Sequence, residues 1–342
     1  MFEKVIGIGG IGTGLLFHSS IAETLGRNES RLANLSDAKD YCKQHIVLHY
    51  TAVLSRDNVR VLPIGFVGDD AAGRQLISEM ELSGMDTRYV GKSRLNSTML
   101  SICLQYPNKD CCNITSINSA GIEVDETYTR ACLTREQVNG LTMLAVIPEA
   151  PLESRLAMLR YGRDKASFNA LSVTSAEARE FLESDAFYAV DLLAVNYDEA
   201  NALTGVADAL EPTTHRLYEM LKKWNSRIML LVTDGKNGAI SVFQDHFERV
   251  SSMPVDAVNT TGAGDACLGG VLAGLALDLP FQKGWQDSAF GSTPLFSAVE
   301  LGIVCAGMAV EISDTIATHV CWESIHKRLL DLGLESRQWP TS

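Results

Sequence analysis

Short apolar runs alternate with amphipathic stretches along most of this chain. The runs at Lys4–Ile8, Val59–Val67, Leu144–Ile147, Ala189–Val195, Ile228–Thr233 and Ala239–Phe243 are nearly continuous in Val, Ile, Leu and Ala. Such runs predict strands buried on both faces. Between them, apolar residues recur at helical spacing in Asp70–Ser83, Leu152–Gly162, Ser175–Leu182, Thr213–Trp224, Gly264–Leu277 and Pro294–Ile312. Gly84 is a good stop for the first of these helices. The alternation predicts an α/β protein with a mainly parallel sheet covered by helices on both faces. Two segments read differently: Leu95–Gln105 and Cys112–Ile117 look like paired strands joined by the polar turn Pro107–Asp110. Phe281–Thr293, rich in Gly, Ser and polar residues, is the one loose stretch.

Length and composition narrow the classes. The 342 residues are 46% hydrophobic, enough for one large core or two smaller ones. Net charge is −13, with no run of Lys or Arg, which argues against nucleic-acid binding through phosphates. No apolar stretch reaches membrane-span length, and the N-terminus lacks a signal-peptide layout, so a cytoplasmic protein with no membrane partner is expected. Eight scattered cysteines without a CxxC pair predict reduced, mostly structural thiols.

The densest chemistry lies in Asn259-Thr260-Thr261-Gly262-Ala263-Gly264-Asp265, ahead of a helix rich in small residues. Glycines at a helix mouth let backbone N–H groups converge into an anion-binding concavity, reinforced by the helix dipole. An acid there repels an anion unless it takes a proton from an alcohol while the amides stabilise a transferring phosphoryl group. The segment thus describes a hydroxyl kinase, with Asp265 as general base and the Gly262, Ala263 and Gly264 backbone as anion hole. A plain loop-to-helix junction is the bland alternative.

Read at this length, the motif resembles the signature of the PfkB (ribokinase-like) family of carbohydrate kinases. Other segments follow in the family's order from about Val61 to Ile312: Val67–Gly73, Gly84–Thr87, Asn196-Tyr197-Asp198-Glu199, and Thr233-Asp234-Gly235-Lys236-Asn237-Gly238. The resemblance implies a ribokinase-like three-layer α/β/α fold over residues 1–335. It also implies a small β-sheet lid from about 10–50 and 93–120. It implies ATP as donor, with Asn196 and Glu199 organising the phosphates and Glu199 touching Mg2+ through water. Thr233, Gly235, Lys236 and Gly238 would line the nucleotide site. Taken alone, Asn196 to Glu199 is equally a helix cap, and Asn237-Gly238 equally a hairpin turn. Lid strands with exposed edges predict a homodimer that covers them.

The first sixty residues depart from the family. Members often place an Asp shortly after the first strand to hold substrate hydroxyls, and Gly14 falls at about that position. The Gly-Gly-x-x-x-Asn signature is also absent; Gly26–Arg31 and then Asp37–Tyr50, with Tyr41, Lys43, His45 and His49, stand in its place. Arg27, Asn28, Glu29 and Arg31 are either a solvated loop or a substrate site that recognises an anionic group. Asn169 is a weaker substrate candidate at a strand end. His45 and His49, at i,i+4, read as packing or surface without a third ligand. Asn259 replaces an Asp, and losing that charge weakens any monovalent cation site beside it. Two rivals stay open. Gly7–Gly12 matches G-x-G-x-x-G, the fingerprint of a dinucleotide-binding oxidoreductase, though Glu29 follows no apolar strand. A catalytically degenerate family member that binds a metabolite is the other.

Overall fold

The computed structural model describes residues 1–56, 58–108, 111–283, 295 and 297–333. Its strands, in chain order, are β1 (Lys4–Ile8), β2 (Gly12–His18), β3 (Asn34–Leu35), β4 (Asp40–Tyr41), β5 (Arg60–Gly68), β6 (Val90–Ser93) and β7 (Met99–Gln105). They continue as β8 (Cys111–Thr115), β9 (Thr142–Val146), β10 (Phe168–Leu171), β11 (Leu192–Asn196), β12 (Met229–Thr233), β13 (Ala239–Phe243) and β14 (His246–Val250).

Nine of these form one sheet in the order β14-β13-β12-β11-β10-β9-β1-β5-β6. Neighbours pair in parallel from β12 through to β6, and at one edge β13 alone is reversed, pairing antiparallel with both β12 and β14. Alternate residues of a central strand enter opposite cores. Met143 and Ala145 of β9 pack on one side, Leu144 and Val146 on the other. Each fully buried Leu or Ile contributes about 1.5–3 kcal/mol relative to exposure, which fixes this register. Helices Lys43–Ser55, Ala263–Ala276 and Ala298–Ala309 cover one face; Leu152–Asp164, Tyr197–Thr204 and Leu210–Leu221 cover the other. This is the expected mainly parallel α/β sandwich.

A second, smaller sheet has the order β3-β2-β7-β8, with β4 also pairing β2. Its strands fall within 10–41 and 93–120. Residues 43–50, expected in the lid, belong to the Lys43–Ser55 helix of the main body. That helix is buried almost all round, so its apolar positions show no one-sided stripe. Lys109, Asp110 and the stretch from Gly284 through Pro294 lie outside the described residues, and with them parts of the expected turn, the loose stretch and the last helix's start.

The glycine run after β1 does not open a helix. β1 leads into β2 of the small sheet, so the dinucleotide fingerprint lacks its required strand-to-helix context.

Candidate active site

Two helices set the site. Lys43–Ser55 and Ala263–Ala276 pack side by side, close enough for the Thr51 hydroxyl to donate to the Gly269 carbonyl at 3.2 Å. Their N-termini therefore open at the same end of the sheet, beside the carboxyl ends of β11 and β12, where open α/β sheets bind ligands.

Gly262 caps the second helix with φ +78°, a conformation that a side chain strains. The Ala263 N–H turns back to the Thr260 carbonyl at 3.3 Å, and the first regular helical bond runs from Ala266 to Gly262 at 2.8 Å. The amides of Gly264 and Asp265 have no acceptor within the helix and sit at its positive mouth. The loop before them is braced by Asn259, which accepts from the Thr261 N–H at 3.0 Å and donates to the Ser313 carbonyl at 2.8 Å.

Asp265 is buried in the first turn, and the Lys43 ammonium lies 3.6 Å from its carboxylate. Burial raises the Asp265 pKa, and Lys43 opposes that rise. In return, Asp265 above all holds the Lys43 ammonium protonated. A cation at a helix N-terminus is otherwise unfavourable. Here it is offset by Asp265 and by Glu149, whose carboxylate accepts the Lys43 backbone N–H at 3.2 Å. Glu149 follows β9, its backbone in the left-handed region at φ +73°. Burial raises its pKa to about 7, against the pull of Lys43.

Asn196, at the end of β11, caps the Tyr197–Thr204 helix reciprocally with Glu199. Its side chain accepts the Glu199 N–H at 2.9 Å, and one carboxylate oxygen of Glu199 accepts the Asn196 N–H at 2.8 Å. The helix-cap reading is therefore correct as far as it goes. Burial first, with the charges of Asp265 and Asp198 adding to it, brings the Glu199 pKa to about 7. Its other oxygen remains for a hydrated cation. Among the described residues no three His, Cys, Asp or Glu side chains form a metal cage. That donor set suits Mg2+, which keeps its waters and takes few carboxylates.

A cavity of about 550 Å³ joins these groups. Lys43, Asn196, Glu199, Thr233, Gly235, Lys236, Gly238 and Gly262 through Asp265 all line it. Leu231, Val255, Ile303, Ala306 and Val310 give it an apolar share of wall. The Thr233–Gly238 segment is a short 3-10 turn closed by Asp234 N–H to Gly238 carbonyl at 2.8 Å, so it is both a turn and a wall.

Other expected residues do not join it. Asn169 is fully buried, its amide donating to the carbonyls of Leu159 at 3.0 Å and Ala189 at 2.7 Å. It ties β10 to its neighbours. Glu29 and Arg31 form an ion pair at 2.6 Å within an exposed loop; Gly26 N–H donates to Glu29 and Arg31 donates to the Glu23 carbonyl. This network is satisfied from within, and Arg27 and Asn28 are exposed beside it. His45 and His49 are buried, and burial lowers their pKa values to about 3 and about 4. They are neutral packing groups, His45 edge-on to Tyr41.

Glu149 is a site residue that the sequence did not single out, and Lys43 was named only within the Asp37–Tyr50 stretch, without a role. The one available signal for Glu149 was its place just past the end of a buried strand.

Residues 48–320 match the sequence model of the "pfkB family carbohydrate kinase". The chain belongs to this family. Among PfkB relatives, a probable chloroplastic fructokinase-6 of Arabidopsis thaliana is 30% identical over 142 residues, 41% of this chain and 34% of that protein. The bifunctional protein HldE of Wolinella succinogenes is 22% identical over 225 residues, 65% of this chain and 46% of that one. The chain thus spans between a third and a half of these two relatives. A deoxyribokinase of Salmonella typhi is 26% identical over 215 residues, 62% of this chain and 67% of that protein. In fold the chain is ribokinase-like. A ribokinase from Cryptococcus neoformans var. grubii serotype A, solved with ADP, superposes with TM-score 0.75 at 19% identity, over 95% of this chain and 99% of that one. A Giardia lamblia ribokinase gives 0.78 at 15% identity, over 97% and 99%.

Proposed function

We propose that this PfkB protein transfers the γ-phosphoryl group of ATP to a hydroxyl of a sugar or sugar-like small molecule. One observation carries the reading: a buried carboxylate, Asp265, stands beside a paired ammonium at the glycine-turned mouth of a helix, on the wall of a nucleotide-sized cavity. Fructokinase, deoxyribokinase and ribokinase relatives support it.

The geometry supports a division of labour. Asp265 takes the proton as the acceptor oxygen attacks the γ-phosphorus, and the bond from that phosphorus to the bridging oxygen breaks to leave ADP. The Gly264 and Asp265 amides, with the Gly262 turn, meet the negative oxygens, and Lys43 adds a positive charge on the same side. Positioning and electrostatics supply most of such a rate gain. Asn196 and Glu199 fit a hydrated Mg2+ on the phosphates, which supplies charge neutralisation when bound. Thr233, Gly235, Lys236 and Gly238 wall the nucleotide, and the apolar share of wall takes its base.

Asn259 supports independence from monovalent cations. Its amide already bridges the loop to the Ser313 carbonyl, a bond an Asp cannot donate.

The lid supports a homodimer. Leu15, Ile102 and Ile114 are register partners across β2, β7 and β8, at 39%, 43% and 75% exposure, with exposed Leu35 and Leu100 nearby. A second copy of the chain covers this apolar sheet face. No described helix is long and apolar enough to cross a membrane, and the eight free cysteines fit a reducing compartment such as the cytoplasm.

Phosphoryl transfer from Mg·ATP across neutral sugars, sugar phosphates and nucleosides tests the reading, with Asp265→Asn as control. Transfer that Asp265→Asn abolishes supports it. An absence of ATP binding overturns it.

A further inference from the structure

Two cysteines meet on one face of the small sheet. Along β7, Ser101, Cys103 and Gln105 are buried, whereas Leu100 and Ile102 are exposed on the other face. β8 pairs antiparallel with β7, so Thr115, Asn113 and Cys111 stand opposite those three buried residues. Cys111 is thus the diagonal neighbour of Cys103 on the same face. The twist of the pair closes this diagonal. One step along it, the Ser101 hydroxyl donates to Asn113 at 2.6 Å. The two thiols share a hydrogen bond, and that contact first, with burial second, raises the Cys103 pKa. Cys103 is 2% exposed, and Cys111 is open to solvent.

The same pair rests on the signature loop. Thr261 Oγ1 lies 3.9 Å from Cys111 Sγ and also hydrogen-bonds Cys103. Thr261 immediately precedes the Gly262 turn, and its N–H is held by Asn259. The reduced pair is therefore a contact between the lid and the loop that shapes the anion hole. Phosphoryl transfer as described above uses neither thiol. The other cysteines lie elsewhere: Cys112 faces the opposite side of β8, near the Tyr106 hydroxyl at 3.7 Å, and Cys267 and Cys305 are buried in the core.

We infer that Cys103 and Cys111 form a reversible dithiol–disulfide site, oxidised by a peroxide, whose closure releases the lid from Thr261 and slows phosphoryl transfer. The thiol chemistry stands by itself; its effect on transfer rests on the kinase reading. Exposed Cys111 reacts first, with a resolving cysteine beside it. It loses its proton to solvent, and its sulfur attacks one peroxide oxygen. The O–O bond breaks, hydroxide leaves and takes up a proton, and a sulfenic acid remains. Cys103 sulfur then bonds to that sulfur while its own proton goes to the departing hydroxyl, which leaves as water. Overall, two thiols lose two electrons and two protons, and the peroxide becomes two waters. Exchange with a small thiol reverses the bond. Closing a bond of about 2 Å draws Cys111 toward Cys103 and removes both S–H groups that face Thr261.

Disulfide mapping by mass spectrometry tests the site in the full native chain, after equimolar hydrogen peroxide and alkylation of the remaining thiols. A Cys103–Cys111 bond is expected, absent in Cys111→Ser and reversed by dithiothreitol. Cys112→Ser is expected to form it as wild type does. Single-turnover transfer from Mg·ATP to a sugar that the reduced chain phosphorylates tests the consequence. The bridged chain is expected to be slower by about two- to tenfold, as for one lost hydrogen bond, with Mg·ATP affinity within about twofold. Dithiothreitol restores the rate, and peroxide leaves the rate of Cys111→Ser unchanged.

An oxidised Cys111 without a bridge, or a bond mapped instead to Cys112 or between Cys267 and Cys305, overturns the site. A bridged chain that transfers at the reduced rate overturns the coupling to Thr261. So does Cys111→Ser slowed by peroxide as much as wild type. A reduced chain that phosphorylates no sugar removes the kinase reading and the coupling together, and the mapped bond alone then decides the dithiol site.

Discussion

Asp265 and Lys43 are 222 residues apart in sequence and 3.6 Å apart in space, and neither is useful alone. Buried without a cation, the aspartate drifts toward the protonated form and loses its capacity as a base. Lys43→Met is therefore expected to lower kcat at neutral pH and to move the acid limb of the rate profile upward. The pH profile of the wild type carries the same signature. Glu149 and Glu199 take up protons near pH 7, and Asp265 is raised too. kcat/KM is expected to fall as pH drops through about 7, far above the ordinary carboxylate range. The stability contribution of these groups runs the other way. Their folded values exceed the unfolded value of 4.5, so the folded chain binds protons more tightly between 4.5 and about 7. That stabilisation is complete below about 4.5 and is lost as pH rises through 7. Thermal melts of Glu149→Gln against wild type check the sign: the difference should change across this window. Asn259→Asp offers a third test. It removes the donor to Ser313 and adds a charge, so activity indifferent to K+ in the wild type should become K+-stimulated in the variant.

Elements show what a sequence reveals and what it hides. The buried strands of the large sheet were legible because each is a short apolar run between turn signals. Most of their helices were legible because they have a wet side; Ala263–Ala276 and Ala298–Ala309, buried almost all round, were legible as long apolar runs rich in Gly and Ala. The Lys43–Ser55 helix was not, since burial almost all round erases the amphipathic period and buried Gln44, His45, His49 and Thr51 interrupt the apolar run. β2 was obscured by the run of glycines from Gly7 to Gly14, of which Gly7, Gly9 and Gly12 imitate a dinucleotide loop. Structure gives two of them another reason: Gly10 leaves room for Glu149 and Gly14 for Asp40. The part of the site proposed to bind nucleotide was readable because its residues are contiguous in short motifs. The surroundings of Asp265 were not, because Lys43 and Glu149 meet there only through packing of distant segments. Asn169 misled for the same reason, a strand-end polar residue whose amide serves two backbone carbonyls. At this scale Gly262→Ala is the informative change. Its φ of +78° costs a side chain about 1–3 kcal/mol, and a methyl there meets the Thr315 carbonyl at 3.2 Å. Activity should fall far more than melting temperature, because relaxing that turn moves the Gly264 and Asp265 amides.

For the whole molecule, the proposed assembly rests on the lid, whose outer face carries Leu15, Ile102 and Ile114. Ile102→Glu combined with Ile114→Glu is expected to shift the chain from dimer to monomer in sedimentation velocity, with the main core still folded. Wild type sedimenting as a monomer would contradict the assembly proposed for that face. The central claim is narrower: one buried carboxylate at a glycine-turned helix mouth removes the acceptor's proton. Its most direct test is single-turnover phosphoryl transfer from Mg·ATP to a bound neutral sugar in wild type and Asp265→Asn, alongside Mg·ATP affinity. The expected result is a loss of about 10²–10⁴ in the transfer rate with nucleotide affinity nearly unchanged. Transfer by Asp265→Asn at the wild-type rate would contradict the account.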